Sequence, residues 1–161
     1  MKLNDHGEIF KEVINLYAVT SGHTKFLDKD NLVVILPNRK GIWQTNHLNC
    51  HYYGVDIRTL TGIELKSVFA ESIREINDIN RKLACGNFYV DEDGELMYKS
   101  FIPAETVSPT DITRVIKINM ETIDAYMPRI LKLLAKEEEN TEDEEYVIIE
   151  GVNENDFVKF E

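Results

Sequence analysis

The segment NFYVDEDGELMYKSFI, at residues 87–102, most strongly constrains the fold. Two runs of aromatic and branched residues flank a turn rich in aspartate and glycine, which is the chemistry of a β-hairpin. The acidic residues of the turn could suggest a calcium loop, but the ligand spacing of an EF-hand is absent. The segment therefore predicts two paired strands, and with them an antiparallel sheet.

Helical patterns lie on both sides of this hairpin. From Ile63 to Ala84, apolar residues recur at helical spacing along one stripe. After the hairpin, Ser108 and Pro109 have the form of a helix N-cap and a first helical residue. They open a second striped helix that is predicted to run through Leu134, with a kink or break just before Pro128.

The N-terminal part of the chain predicts a helix followed by strands. A capping box and an apolar stripe place the helix from Asp5 to Val19. Two short strands are predicted around a polar turn at Asp28 to Asn31, and Pro37 ends the second. The run from Leu32 to Leu36 has no alternation, which is typical of a strand covered on both faces.

Residues 41–60 are rich in β-branched and aromatic residues, with Gly41 and Gly54 as bends. They predict one or two further strands. The predicted fold is therefore α+β, with an antiparallel sheet of about five strands packed by three helices in the order α-β-β-β-α-β-β-α.

The negative charge is concentrated at the C-terminal end. Residues 137–161 contain 11 acidic residues and one lysine, whereas residues 1–136 contain 18 acidic and 17 basic residues. We expect a single domain over 1–136 and an acidic, mostly disordered tail over 137–161. Within the tail, residues 146–150 are prone to form a strand that could pair with a sheet edge of the same or another molecule. The candidate binding residues of that strand are Tyr146, Val147, Ile148 and Ile149.

This charge distribution argues against two kinds of partner. Nucleic acids bind concentrated basic faces, and an anionic membrane surface would repel the tail. No window approaches the roughly 18 consecutive apolar residues of a membrane span, and the first residues are too polar for a secretory signal. We therefore expect a cytoplasmic protein without nucleic-acid or membrane partners.

The order of these features resembles the YbjN family, whose members look like type III secretion chaperones. The family pattern has an N-x-x-N pair before a G-x-F-x-x-D-x-D-G-x-x-x-Y hairpin. The matching residues here are Asn77, Asn80, Gly86, Phe88, Asp91, Asp93, Gly94 and Tyr98. The resemblance extends from Leu65 to Leu134, while the segment from Asn38 to Gly54 looks long for the family and the acidic tail has no counterpart. It implies a chaperone-like α/β fold, frequent dimerisation and protein binding, and it brings no catalytic residues.

The asparagines need separate interpretations. At roughly 100° per residue, Asn80 falls on the apolar stripe of its helix and Asn77 lies beside it. A buried amide without partners costs about 1–3 kcal/mol, so we expect Asn80 to hydrogen-bond the backbone of the hairpin. Ligand or partner binding is the alternative for both residues. Asn119, inside the stripe of the last helix, is expected to serve helix packing or dimer register.

Two further groups of residues are candidates for a site. Trp43, Tyr52 and Tyr53 are expected first to pack in the core, and alternatively to anchor a protein partner on an exposed sheet. The segment HLNCH at residues 47–51 contains zinc-ligand types, but on a strand its cysteine would point away from both histidines. We therefore predict no metal, no cofactor and two free thiols.

The sequence therefore predicts a non-enzymatic protein-binding module, chaperone-like or regulatory, that forms a homodimer. It would act through its sheet or helix surface and through its acidic tail. The alternative is a small-molecule-responsive regulatory domain with a pocket near Asn77, Asn80 and Trp43. An enzyme is a third hypothesis, for which the sequence has no recognisable catalytic motif.

Overall fold

The computed structural model describes residues 6–18, 22–65 and 70–144, so the predicted cap residue Asp5 lies outside it. Three helices and six strands form in these residues. In chain order they are α1 (His6–Tyr17), β1 (His23–Asp28), β2 (Asn31–Pro37), β3 (Trp43–His51), β4 (Gly54–Glu64), α2 (Ala70–Asn80), β5 (Asn87–Val90), β6 (Glu95–Pro103) and α3 (Pro109–Glu144).

The strands form one antiparallel sheet in the order β1-β2-β3-β4-β6-β5. Alternation along the strands gives the sheet two different faces. On β3, every second residue from Gln44 to Cys50 is buried, and the residues between them are exposed or half-buried. The buried residues face the helices, in two clusters that include residues of all three. Within the described residues no helix covers the other side of the sheet, which we call the open face.

The predicted fold class is confirmed, but the sheet has one more strand than the sequence suggested. Residues 41–60 contain two strands, because Tyr52 and Tyr53 form a tight turn between β3 and β4. The prediction that β2 is covered on both faces is supported at Leu32, Val33 and Val34, which are buried in succession. Val33 points to the open face and is still only 8% exposed, whereas the last three residues of β2 are half-buried.

Helix α3 is longer than predicted. It begins where expected, with the Asp111 amide donating a hydrogen bond to Ser108 Oγ at 3.1 Å. It then passes Pro128 without a break and continues beyond Leu134 to Glu144. The first part of the acidic segment is therefore helical, while the domain boundary at residue 136 stays a prediction.

Two apolar clusters fill the space between the sheet and the helices. The first joins α1, β2, β3, β4 and the beginning of α3, and its largest buried side chains are Phe10, Leu32, Leu48, Ile57, Ile112 and Ile116. The second joins α2, β5, β6 and the middle of α3, and contains Ile76, Ile79, Phe88, Leu96, Tyr98, Ile123 and Ile130. The core thus has two parts that share one helix.

A chain of buried polar side chains separates the two clusters. Thr59 Oγ1 donates to Asn46 Oδ1 at 2.6 Å, and Asn119 Nδ2 donates to Thr59 Oγ1 at 3.3 Å. Ser100 Oγ donates to Asn119 Oδ1 at 2.6 Å. We call these four residues the polar seam. None of them is more than 4% exposed, so each depends on these bonds in place of water. The seam supports the predicted helix-packing role of Asn119.

Candidate functional site

The open face carries large exposed aromatic residues. Trp43 on β3 is 50% exposed and Phe101 on β6 is 47% exposed, while Tyr52 and Tyr53 in the turn between β3 and β4 are 78% and 71% exposed. Core packing, the first expectation for Trp43, Tyr52 and Tyr53, was therefore wrong. Single exposed apolar residues are common on protein surfaces, so a candidate site requires that they cluster.

Four rings do cluster where β3 ends, and we call His51, Tyr52, Tyr53 and Phe101 the aromatic patch. The His51 ring stacks on Phe101 with 5.9 Å between centroids and 17° between planes. Tyr53 meets His51 edge-on at 6.4 Å, and Tyr52 meets Tyr53 edge-on at 5.2 Å. Stacked and edge-to-face pairs at these distances are attractive. The four rings therefore form one connected aromatic surface.

The backbone beneath the aromatic patch has little freedom to move. Gly54 has a φ of 152°, and a Cβ there would lie 2.0 Å from the Ile102 carbonyl oxygen. Only glycine allows β4 to approach β6 this closely. On the other side of the turn, the Ala104 amide donates to the Tyr53 carbonyl at 2.9 Å. The turn that presents both tyrosines is thus attached to the end of β6.

Asp56 connects the aromatic patch to its charged neighbours. Its carboxylate lies 3.1 Å from His51 Nε2 and 3.2 Å from Lys99 Nζ, and its side chain is only 13% exposed. These contacts hold the His51 ring in the orientation that stacks on Phe101. Asp56 therefore serves the geometry of the patch.

Trp43 lies at the other end of β3 from the aromatic patch. Its ring stacks on His23 of β1, with 5.3 Å between centroids and 26° between planes. Helix α2, which carries Asn77 and Asn80, packs on the covered face of the sheet. Trp43 is on the open face, so the predicted pocket near these three residues does not form.

The segment at residues 47–51 alternates as predicted. His47 and His51 are on the open face, whereas Cys50 is buried on the covered face. Burial, helped by nearby Asp30, raises the pKa of the Cys50 thiol to about 12. Burial and then the positive charge of Arg58 lower the pKa of His47. Within the described parts of the chain, no group of three or more potential metal ligands is found.

Asn80 joins α2 to the hairpin, as the sequence predicted. Its Nδ2 donates to the Phe88 carbonyl at 2.9 Å, and its Oδ1 accepts from the Phe88 amide at 2.8 Å. One side chain thus satisfies both backbone groups of a residue in edge strand β5. Asn77 is exposed, and its role in binding a ligand or partner stays a prediction.

Tyr98 completes the same joint from β6. Its side chain is fully buried, its ring lies 4.9 Å from that of Phe88, and its hydroxyl donates to the Cys85 carbonyl. Burial raises the pKa of Tyr98 from its ordinary value near 10 to about 12, so the hydroxyl stays a donor even in mildly alkaline solution. A Cβ at Gly86 would lie 2.7 Å from the Tyr98 ring and from the Lys99 carbonyl oxygen. Glycine is therefore required before this hairpin.

The turn of the hairpin is organised by Asp91. Its carboxylate accepts hydrogen bonds from the amides of Asp93 at 3.0 Å and Glu95 at 2.8 Å. Gly94 adopts a φ of 85°, which favours glycine. These contacts confirm the acidic segment as a hairpin turn.

Comparison with known proteins supports the resemblance drawn from this motif. Residues 55–132, from β4 into α3, match the model of the YbjN family, which is described as "Putative bacterial sensory transduction regulator". This part of the chain belongs to the YbjN family. Neither the curated proteins nor the solved structures contain a significant match. The likeness of the YbjN fold to type III secretion chaperones therefore stays a prediction for this chain.

The YbjN motif and the aromatic patch are different parts of this molecule. Asn80, Gly86, Phe88, Asp91 and Tyr98 all make contacts that hold the second apolar cluster together. The motif therefore identifies the YbjN fold, and its contacts do not identify what the domain binds. Three residues of the patch, His51, Tyr52 and Tyr53, precede the matched region.

Sequence reasoning missed two members of the patch. His51 was considered only as a metal ligand, and Phe101 was not singled out. Alternation on β6 carried a signal, because inward-facing Tyr98 and Ile102 imply an outward-facing Phe101.

The candidate tail residues Tyr146, Val147, Ile148 and Ile149 lie outside the described residues. Among the helices described, none is long and apolar enough to cross a membrane.

Proposed function

We propose that this chain is a non-enzymatic, protein-binding regulatory module that binds a partner through the aromatic patch. The proposal rests on one observation: four rings form a connected surface on a sheet face that no described helix covers. The family description as a sensory transduction regulator is consistent with a regulatory role. The partner would supply apolar side chains that cover the rings.

The energetics of such a surface support binding. Tyrosine and tryptophan are enriched among the few residues that dominate binding energy at interfaces, because they bury a large area at low conformational cost. Tyr52 and Tyr53 expose most of their surface to water, so a partner has much apolar area to cover. Gly54 and the bond from Ala104 to Tyr53 hold the turn in place before binding. Little entropy is then lost when the partner docks.

The non-enzymatic part of the proposal is supported by the state of the polar groups at the patch. Asp56 is engaged by both His51 and Lys99, so it is committed to two structural contacts. In this arrangement the carboxylate holds the His51 ring against Phe101, which accounts for its partly buried position without a reaction.

The homodimer and the binding role of the acidic tail belong to the same proposal. A second copy is one possible occupant of the open face, and the mass of the protein in solution tests it. For the tail, full-length protein should be compared with a version that ends at Glu144, because α3 reaches that residue. Ending the chain at residue 136 would also shorten α3, so a loss of binding could come either from the missing tail or from the shortened helix.

Site-specific photocrosslinking tests the proposal. A benzoylphenylalanine at Tyr52 should crosslink a distinct protein in cells of the native host, identified by mass spectrometry. The same group at Ile73, a large exposed apolar residue on α2, is the matched control and should give no such product. Replacing Tyr53 and Phe101 by alanine should then reduce the yield at position 52 about tenfold or more, since each is a potential hot-spot residue.

Two results would contradict the proposal. One is a position-52 crosslink profile that equals the position-73 profile. The other is a partner whose capture is unchanged by the double alanine variant while the variant keeps its wild-type melting temperature. A crosslink between two copies would identify the partner as a second chain.

A further inference from the structure

A separate cavity of about 580 Å³ lies on the other side of the sheet, between α3, the end of α1 and the end of β2. Its volume is in the range that holds small organic ligands. The apolar part of its wall comes from Tyr17, Leu36, Pro37 and Met120. Neither the aromatic patch nor the YbjN motif contributes to it.

The loop after β2 closes one end of this cavity. Asn38 Nδ2 donates to Asp124 Oδ1 at 2.9 Å, and Arg39 pairs with Glu121 at 2.6 Å, so two contacts join the loop to α3. Asn38 Oδ1 also accepts from the amides of Lys40 and Ile42, both at 2.9 Å, which fixes the loop itself. The cavity therefore has a preformed wall.

The cationic side chains around the cavity differ in how firmly they are paired: Arg114 pairs with Asp111, which lies outside the lining, and Arg39 pairs with Glu121. The lining contains three cationic and two acidic side chains. Glu121 is shared, because it accepts from Arg39 at 2.6 Å while Lys117 Nζ lies 4.0 Å away. The contact of Lys117 is therefore the loosest of these ion pairs, and its side chain is 75% exposed. An incoming carboxylate would pair with Lys117 without displacing the Arg39 contact.

We propose that this cavity binds a small amphipathic monoanion, with its apolar body against Leu36, Pro37 and Met120 and its acidic group beside Lys117. A medium-chain carboxylate has this chemistry. An apolar wall supplies affinity through buried area, while one charge at the mouth fixes orientation. This site gives a sensory regulator a place for a small signal that is distinct from its protein-binding surface.

Calorimetric titration of the full-length protein with decanoate, below the concentration at which it forms micelles, tests this site. We expect saturable binding of one decanoate per chain, and weaker binding of the uncharged decanol. Lys117→Glu should weaken decanoate binding about tenfold and leave decanol binding unchanged, because the substitution reverses only the charge at the mouth. Lys132→Glu is the matched control, because it makes the same charge change on α3 outside the cavity lining.

A second pair of variants tests the apolar body of the site. Thr113 lines the cavity, so Thr113→Trp should fill it and abolish binding, whereas Thr113→Ala should bind decanoate as well as the wild type does. Thermal unfolding of each variant confirms that it is folded. The site is disproved if decanoate shows no saturable binding, if Thr113→Trp binds normally, or if Lys117→Glu and Lys132→Glu have equal effects. All of these results are independent of partner capture at the aromatic patch.

Discussion

The two faces of the sheet use polar and apolar residues in opposite ways. On the covered face, β3, β4 and β6 place polar Asn46, Thr59 and Ser100 in an otherwise apolar layer, and Asn119 of α3 pairs with two of them. On the open face, β3 and β6 place Trp43, His51 and Phe101 where water reaches them. Each face therefore carries the residue type that its surroundings make costly.

The difference indicates where specificity resides. A buried polar group must be paired in one arrangement, so it selects a unique packing of helix on sheet. The apolar area of exposed aromatic rings is in contact with water at a cost in free energy, and that cost is removed when another molecule covers the rings. The covered face thus determines the fold, and the open face determines the candidate interaction. Substitutions on the two faces should consequently differ in their effect on stability.

The largest effect is expected at Gly54, where β4 lies very close to β6 beneath the aromatic patch. Gly54→Ala should lower the free energy of unfolding by about 3 kcal/mol or more, because its Cβ would overlap the Ile102 carbonyl oxygen. Urea unfolding measures the loss. Gly41→Ala is the control: its φ is 77° with open space around it, so only the backbone cost of about 1–2 kcal/mol applies. Equal losses would show that the close approach is not what position 54 requires.

A smaller effect is expected on the covered face alone. Asn119→Ala should cost about 2–3 kcal/mol, because it leaves the Ser100 and Thr59 hydroxyls buried without this partner. The open-face counterpart is Asn49→Ala, which removes a half-buried bond to Asn31 and should cost less than about 1 kcal/mol. Urea unfolding with both variants checks the ranking. A larger loss of unfolding free energy in Asn49→Ala than in Asn119→Ala would contradict the claim that the covered face determines the fold.

Next in size is the joint at β5. Asn80→Ala removes two hydrogen bonds to Phe88 and should lower the free energy of unfolding by about 1–2 kcal/mol. Asn77→Ala, three residues earlier on the exposed side of α2, should change it by less than about 0.5 kcal/mol. Amide exchange of Phe88 provides a local readout, since its protection should fall only in the Asn80 variant. Loss of protection in both variants would contradict a joint made by Asn80 alone.

At neutral pH the smallest effect is expected from the titration of Cys50, because its contribution appears only at high pH. Burial raises the pKa of its thiol to about 12, whereas an unfolded thiol has a pKa of about 8.5. Between these values the unfolded chain releases a proton that the folded chain keeps, so the free energy of unfolding falls as pH rises. Below about pH 8 this term vanishes.

Cys50→Val removes this titration and should reduce the loss of stability between pH 8 and pH 11, measured by urea unfolding under reducing conditions. Cys85→Ala is the control, because Cys85 is exposed and its variant should keep the wild-type pH dependence. If the free energy of unfolding of Cys50→Val falls between pH 8 and pH 11 as steeply as that of the wild type, the buried thiol does not contribute to the fall.

Local chemistry made much of the covered face predictable. Ser108 and Pro109 identified the start of α3, the Asp-Gly turn identified the β5–β6 hairpin, and Asn80 found the partner expected for an amide on an apolar stripe. The strand count was less certain, because the turn at Tyr52 and Tyr53 consists of residues that are equally common within strands. Local pattern cannot distinguish a strand that bends from two strands that pair.

The candidate sites were less predictable because they depend on distant residues meeting. Phe101 joins the aromatic patch only because β6 pairs with β4, and the cavity forms only where β2 ends beside α3. The end of α3 was missed for a different reason. Glutamate favours helices, so a run of acids that lacks an apolar stripe can still continue one.

The polar seam also sets the position of α3 along its own axis. Sliding the helix by one turn in either direction would bring Ile116 or Ile123 to the place of Asn119. Two buried hydroxyls, on Thr59 and Ser100, would then face an aliphatic side chain. An entirely apolar interface would tolerate such a shift, since one isoleucine packs much like another. Four polar residues thus give a helix of 36 residues a single alignment on the sheet.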